Sequence, residues 1–176
     1  MIRQSVGVAC AALVFVVGNA SADNGGNSNP ASQFSASLSG FNEVPLAIFS
    51  QGSGKLELSI DESGGSISYT LSYSGLTSPV TQAHIHFGQR HVAGGIMAFF
   101  CSNLGNGPAG TQACPENEGT VSGTIMASQV VGPEPQNIRP GDFAALVKAI
   151  RSGTGYANVH TTKFPPGEIR GQVHRR

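Results

Sequence analysis

The feature that most constrains this chain is a two-residue rhythm of apolar side chains, interrupted every few residues by Gly, Pro or Asn. Phe34, Ala36 and Leu38 alternate with Ser35, Ser37 and Ser39. Leu56, Leu58 and Ile60 alternate with Lys55, Glu57 and Ser59. Ile67, Tyr69, Leu71 and Tyr73 alternate with Ser66, Ser68, Thr70 and Ser72, and Ala83, Ile85 and Phe87 with Gln82, His84 and His86. Successive side chains of a strand point to opposite faces, so each stretch reads as a strand with one buried and one wet face. Residues 95–100 form a near-continuous apolar run, and 121–127, 155–161 and 168–173 complete a set of eight. Short strands with frequent turn signals predict an antiparallel sandwich or barrel.

One segment breaks the rhythm. In residues 140–151, Phe143, Leu146, Val147 and Ile150 fall at helical spacing, and Gly153 follows as a stop signal. This short helix is expected to cover an open end or side of the sheet. Composition excludes other classes. The 24 glycines, with abundant Ser, Thr and Val, argue against a helical bundle. Lys and Arg, 10 together, balance 10 Asp and Glu with no basic run, which excludes a nucleic-acid surface built on counterion release. At 39% apolar, the chain has the material for the core of one domain.

The start of the chain reads as an address. Arg3 precedes a 13-residue apolar run, residues 6–18, and Ala20-Ser21-Ala22 supplies a small-x-small cleavage pattern. Residues 1–22 are therefore expected to be a secretory signal peptide, because the run is shorter than the ~20 residues a membrane span needs. No stable membrane span is expected once the signal is removed, and the protein is expected in the periplasm or outside the cell. Residues 23–32 are polar and turn-forming and read as a flexible linker, leaving 33–174 as the folded domain. Cys10 departs with the signal. Cys101 and Cys114 remain, and in an exported chain such a pair is expected to form a disulfide across a Gly-, Pro- and Asn-rich loop.

Chemistry has few places to reside. The chain has no GxSxG elbow, no phosphate-binding loop and no HExxH, but it has five histidines. His84 and His86 share one strand face and could together form half of a transition-metal site. They could equally be two solvated imidazoles. Near the C-terminus, a strand ending in Val159-His160-Thr161 is followed by the turn residues Pro165-Pro166-Gly167 and a returning strand with Glu168 and Arg170. Glu168 and Arg170 are either a surface ion pair or neighbours of His160 at the mouth of a site. His174 lies in a tail before Arg175 and Arg176 and reads as solvated.

Several of these segments, taken in order, resemble the CHRD domain, the family named for chordin. The resemblance rests on Leu38-Ser39-Gly40-Phe41-Asn42-Glu43-Val44-Pro45, on GSGKLELSI at 52–60, and on Ala83-His84-Ile85-His86-Phe87-Gly88. YANVHT at 156–161 and Pro166-Gly167-Glu168-Ile169-Arg170-Gly171-Gln172 complete it. It implies an exported module whose biochemistry the family leaves open. The chain departs from the family pattern at 89–95 (QRHVAGG), so His91 is not carried over from it.

The arrangement is also similar, more distantly, to copper-zinc superoxide dismutases, which are eight-strand Greek-key sandwiches. In those enzymes a His-x-His lies on the fourth strand, a further copper-binding His ends the seventh, and an Arg precedes the eighth. The similarity implies an all-β, antiparallel Greek-key sandwich or barrel of about eight strands with one short helix. It implies copper at His84, His86 and His160, with Arg170 as the catalytic group that attracts a small anion such as superoxide. Their zinc-binding loop has no counterpart here, so any site should be mononuclear. Glu168 could fix an imidazole tautomer from behind, and His91 could be a fourth ligand. Two functions follow: an exported copper-binding protein with superoxide dismutase-like redox activity, or a non-catalytic extracytoplasmic interaction or structural module. The sequence identifies no protein partner.

Overall fold

The computed structural model describes residues 1, 2 and 32–176; nearly all of the expected signal peptide and of the linker lies outside the described residues. Eight main strands form one antiparallel sheet: β1 (Gln33–Ser39), β2 (Ser53–Asp61), β3 (Ser66–Ser74), β4 (Val80–Phe87), β5 (Gly95–Ser102), β6 (Gly119–Met126), β7 (Gly155–Thr161) and β8 (Ile169–Gln172). A two-residue strand, β9 (His174–Arg175), adds to β1. The order across the sheet is β5-β4-β7-β8-β1-β2-β3-β6. Sequence neighbours β3 and β4 are separated, while β3 meets β6 and β4 meets β7, which is Greek-key connectivity. The sheet curls into a nearly closed barrel whose two edges, β5 and β6, face each other.

The two-residue rhythm builds the core directly. Leu56 sits opposite both Ala36 and Leu71, and Leu58 opposite both Phe34 and Tyr69. All six are buried. Each large aliphatic side chain so buried contributes roughly 1.5–3 kcal/mol. Helix α1 (Phe143–Arg151) starts at the first residue of the helical spacing, three residues into the expected segment 140–151, because Asp142 caps it by accepting from the Ala145 N–H at 2.9 Å. Its Leu146, Val147, Ala149 and Ile150 are buried in the same core. His174 is exposed, as expected of a solvated residue, and pairs with Ser35 at the sheet edge.

The open seam is closed by side chains and by the loop after β5. Tyr69 donates to the Phe100 carbonyl at 2.7 Å, crossing from the β6 side to β5. Gln112 donates to the Ser122 carbonyl of β6 at 2.9 Å, and its own carbonyl accepts from the Ser102 N–H of β5 at 2.9 Å. Satisfying these edge groups removes a template for unwanted strand pairing. The Cys101–Cys114 disulfide anchors this loop, with a sequence separation of 13. Closing a loop of that size stabilises a fold by roughly 3 kcal/mol in the chain-entropy model. The double variant Cys101→Ala/Cys114→Ala is expected to lose about that amount in urea unfolding, and a loss below ~1 kcal/mol would mean the seam holds without its covalent tie.

Candidate metal centre

Strand register, not sequence proximity, assembles the site. His84 pairs with Asn158, His86 with Tyr156, and Gln82 with His160 across β4 and β7. Asn158 pairs with Arg170, and Tyr156 with Gln172, across β7 and β8. Alternation then places all of these on the outer face, opposite the core residues Ile85, Ala157 and Val159. The outer face was expected to be wet, and this is corrected: His84, His86 and His160 are all buried. Every residue of β7 is buried. A second layer covers this part of the sheet, made of the loops that carry Glu43, Gly94 and Pro165.

His84, His86 and His160 each offer a ring nitrogen, and these atoms lie within 4.8 Å of one another. The tightest pair, His84 Nδ1 and His160 Nε2, is 3.1 Å apart. Metal–imidazole bonds of ~2.0–2.1 Å limit two ligand nitrogens to about 4.2 Å, so the widest pair closes by a fraction of an ångström around an ion. The trio is the one such cluster among the described residues.

The covering loops fix the tautomers. The Gly94 carbonyl lies 3.0 Å from His86 Nδ1, and the Pro165 carbonyl 2.8 Å from His160 Nδ1. A carbonyl can only accept, so both Nδ1 atoms carry the proton and both Nε2 atoms present a lone pair. His86 Nε2 is buried and has no hydrogen-bond partner. An unsatisfied buried polar atom costs about 1–3 kcal/mol, which an ion at this point would relieve. Gly94 can reach His86 only because it lacks a side chain: a Cβ there would collide with the Phe87 carbonyl oxygen. Burial, then the neighbouring imidazoles, push His84 down to about 2 and His86 to about 3, and burial also lowers His160. The rings are therefore neutral, as metal ligation requires, throughout the physiological range.

Arg170 adjoins this cluster through an aromatic intermediary. The His86 ring stacks on Tyr156 with centroids 4.8 Å apart, and the Arg170 guanidinium lies 3.5 Å from the Tyr156 centroid. Arg170 is only 2% exposed, so it sits beneath the surface and not at an open mouth. Its Nη2 donates to the Gln89 and Val92 carbonyls at 3.0 and 2.9 Å, while Nη1 is buried without a partner. Asn158 donates to Glu43 at 3.4 Å. Burial raises the Glu43 carboxyl to about 7, with Arg170 and Asn158 pulling the other way.

Two sequence expectations change here. Glu168 makes no bond to an imidazole; it accepts from Ser50, Thr77 and Thr161 instead, and forms no ion pair with Arg170. His91 does not join the three ligands, because its backbone turns at φ 65° and leaves it exposed. Three neighbours escaped the sequence reading: Tyr156, Asn158 and Glu43. The alternation in YANVHT carried a signal for the first two, since they share the parity of His160. Glu43 lies on a loop and had none.

A family model for the CHRD domain matches residues 34–173, which include every residue of the centre. No curated protein matches the chain.

Proposed function

The chain belongs to the CHRD-domain family, and we propose that it is an exported protein that binds one copper ion through His84, His86 and His160 and has superoxide dismutase-like redox activity. The observation that carries this reading is the convergence of three buried imidazole nitrogens, two of them tautomerically fixed by backbone carbonyls. The donor set fits copper. It is all imidazole, it lacks a carboxylate or thiolate, and Cu(II) heads the affinity series for such sites. Bound there, copper would supply one-electron redox chemistry. Arg170 keeps a fixed positive charge beside the cluster, one aromatic ring away from His86, and would draw in and orient a small anion. Export is supported by the signal-like residues 1–22 and by the disulfide. Among the described residues no helix is long and apolar enough to cross a membrane.

Copper titration of the purified protein, followed by absorbance and electron paramagnetic resonance, tests the ligand set. One nitrogen-rich site is expected, weakened at least a hundredfold in His84→Ala and His160→Ala; unchanged binding in either variant would refute it. In a superoxide assay, the loaded protein should outperform free copper, and Arg170→Ala should slow it while sparing the metal. Activity no better than free copper would remove the enzymatic part.

A non-catalytic interaction module is the second reading, and one observation favours it. Phe41, Leu46 and Phe49 are large and exposed in the segment between β1 and β2, and Phe41 and Phe49 are in edge-to-face contact at 6.2 Å. Contiguous apolar patches of this kind mark contact surfaces. A protein that binds no copper yet loses self- or partner-association in Phe49→Ser would favour this reading.

A further inference from the structure

The three imidazoles of the centre are not held alike. His84 and His160 steady each other, with ring nitrogens 3.1 Å apart. His84 also meets Phe99 edge to face at 4.4 Å, and His160 is tied to the Pro165 carbonyl at 2.8 Å. His86 is hydrogen-bonded through Nδ1 alone, to the Gly94 carbonyl at 3.0 Å, and its Nε2 is unpartnered. One such bond fixes where Nδ1 points but not the plane of the ring, because the terminal torsion of a histidine is broad. The plane decides where Nε2 aims.

Tyr156 supplies the plane. The pairing of β4 with β7 sets it directly opposite His86, and the two rings stack with centroids 4.8 Å apart and 9° between their planes. The other cluster rings meet His86 at an angle, His84 at 76° and His160 at 38°. The Arg170 guanidinium lies 3.5 Å from the Tyr156 centroid. Two planar groups at these separations cannot share one face of a phenol ring, so Tyr156 is sandwiched between His86 and Arg170. Arg170 is pinned in turn by the Gln89 and Val92 carbonyls.

The far end of the phenol closes the frame. The Gly94 N–H donates to the Tyr156 hydroxyl at 3.0 Å, and that hydroxyl donates at 3.3 Å to the Gly94 carbonyl, the same oxygen that accepts from His86 Nδ1. Burial raises the phenol above its ordinary value, so it keeps the proton it donates. Tyr156 thereby meets both the face of His86 and the residue that fixes its tautomer. It has little room to shift: the side chain is buried, and a Cβ at Gly88 would come within 2.9 Å of its Cε1.

We infer that Tyr156 is a positioning residue of the metal centre, holding the plane of the His86 ring so that the unpartnered Nε2 is presented to the ion. The role rests on the copper reading. Tyr156 is not one of the metal-capable residues and acts through His86.

Titration of the parent, Tyr156→Leu and Tyr156→Phe with Cu(II) against a competing chelator tests this. Leu removes both the flat face and the hydroxyl, and copper affinity is expected to fall about 10–100-fold, the usual cost of removing a partner that orients a metal-bound histidine. Phe keeps the face, so its loss should be confined to a few-fold. Nitrogen-15 and proton NMR of the metal-free proteins separates this role from one in folding alone. In the parent and in Tyr156→Phe, His86 is expected as one fixed Nδ1–H tautomer with ring protons displaced by the facing aromatic ring. In Tyr156→Leu those signals should average, while the Nδ1–H of His160 stays in place. Equal copper affinity in the parent and Tyr156→Leu, or equal losses in Leu and Phe, would overturn the role. So would a mobile His86 ring in the parent itself, a measurement that stands even where Tyr156→Leu fails to fold. A parent that binds no copper removes the metal reading and this role with it; a parent that binds copper no better than Tyr156→Leu removes this role alone.

Discussion

As pH falls below 6.5, the metal-free protein is expected to lose stability at roughly 1–3 kcal/mol per pH unit, more steeply below 4.5 than above it. The ordinary histidine value of 6.5 describes the unfolded chain. Folded, His84 and His86 bind protons only near 2 and 3, and His160 is also held down. Between those limits the unfolded state holds more protons than the folded one, so stability rises with pH and is lost on acidification. Each buried ring contributes about 1.4 kcal/mol per unit over that window. Glu43 works in the opposite sense. Its folded value near 7 lies above the ordinary 4.5, so between 4.5 and 7 the folded state holds the extra proton. His84 and His86 against one carboxyl leave a net of about one proton between 4.5 and 6.5, and of two just below 4.5, and the lowered His160 acts in the same direction as the other two rings. With total stabilities of typically ~5–15 kcal/mol, a few units suffice to unfold the chain. Urea unfolding midpoints measured from pH 7 to pH 4 check this, and a flat profile would contradict the buried, neutral state of the rings. An ion bound to the same nitrogens binds the folded state selectively, so loading should move the acid midpoint downward.

How much of this was legible in the chain depends on which face of the sheet is considered. The inner face is a periodicity problem, and Leu56, Leu58 and Ile60 solve it: a side chain every second residue must be buried somewhere, and a curled antiparallel sheet buries them all. The outer face is different. Alternation says that His84 and His86 point away from the core, but not whether anything covers them. The cover comes from loops: through Gly94 onto His86 and Pro165 onto His160, eight and five residues away, and through Glu43 onto Asn158, 115 residues away. Loops have no period, so nothing in the spacing of Glu43 placed it beside residues more than a hundred positions away. The pairing of β4 with β7 brought His160 to the other two histidines, and that step followed from family resemblance, not from local pattern. His91 shows the converse error. It is five residues from His86, yet a positive φ at the turn sends it outward to the surface. Proximity along the chain carries little weight where the backbone reverses.

Glu168→Ala is expected to destabilise the protein by roughly 3–5 kcal/mol without removing any member of the metal cluster. Regular pairing of β8 begins at Ile169, one residue later, so the alternation that sends Arg170 outward does not govern Glu168. Its carboxylate is fully buried and is met by hydrogen-bond donors in place of a cation. Oε1 accepts from Ser50 Oγ at 2.6 Å and from the Thr77 N–H at 2.9 Å. Oε2 accepts from Thr77 Oγ1 at 3.0 Å and from Thr161 Oγ1 at 2.8 Å. One side chain thereby ties the loop before β2, the loop before β4 and the end of β7 to the start of β8. Truncation to Ala strands all four donors. The three hydroxyls can turn to seek other acceptors, but the Thr77 N–H cannot, and an unmet buried donor costs about 1–3 kcal/mol. Glu168→Gln separates the terms. Its carbonyl can still meet Ser50 and Thr77 N–H, and its NH₂ can donate to hydroxyls that rotate to accept, so a loss of only about 1–2 kcal/mol is expected. Urea unfolding of the three proteins gives the order directly. A loss below ~1 kcal/mol for Ala, or a greater loss for Gln than for Ala, would show that Ser50, Thr77 and Thr161 hold these segments together without the carboxylate.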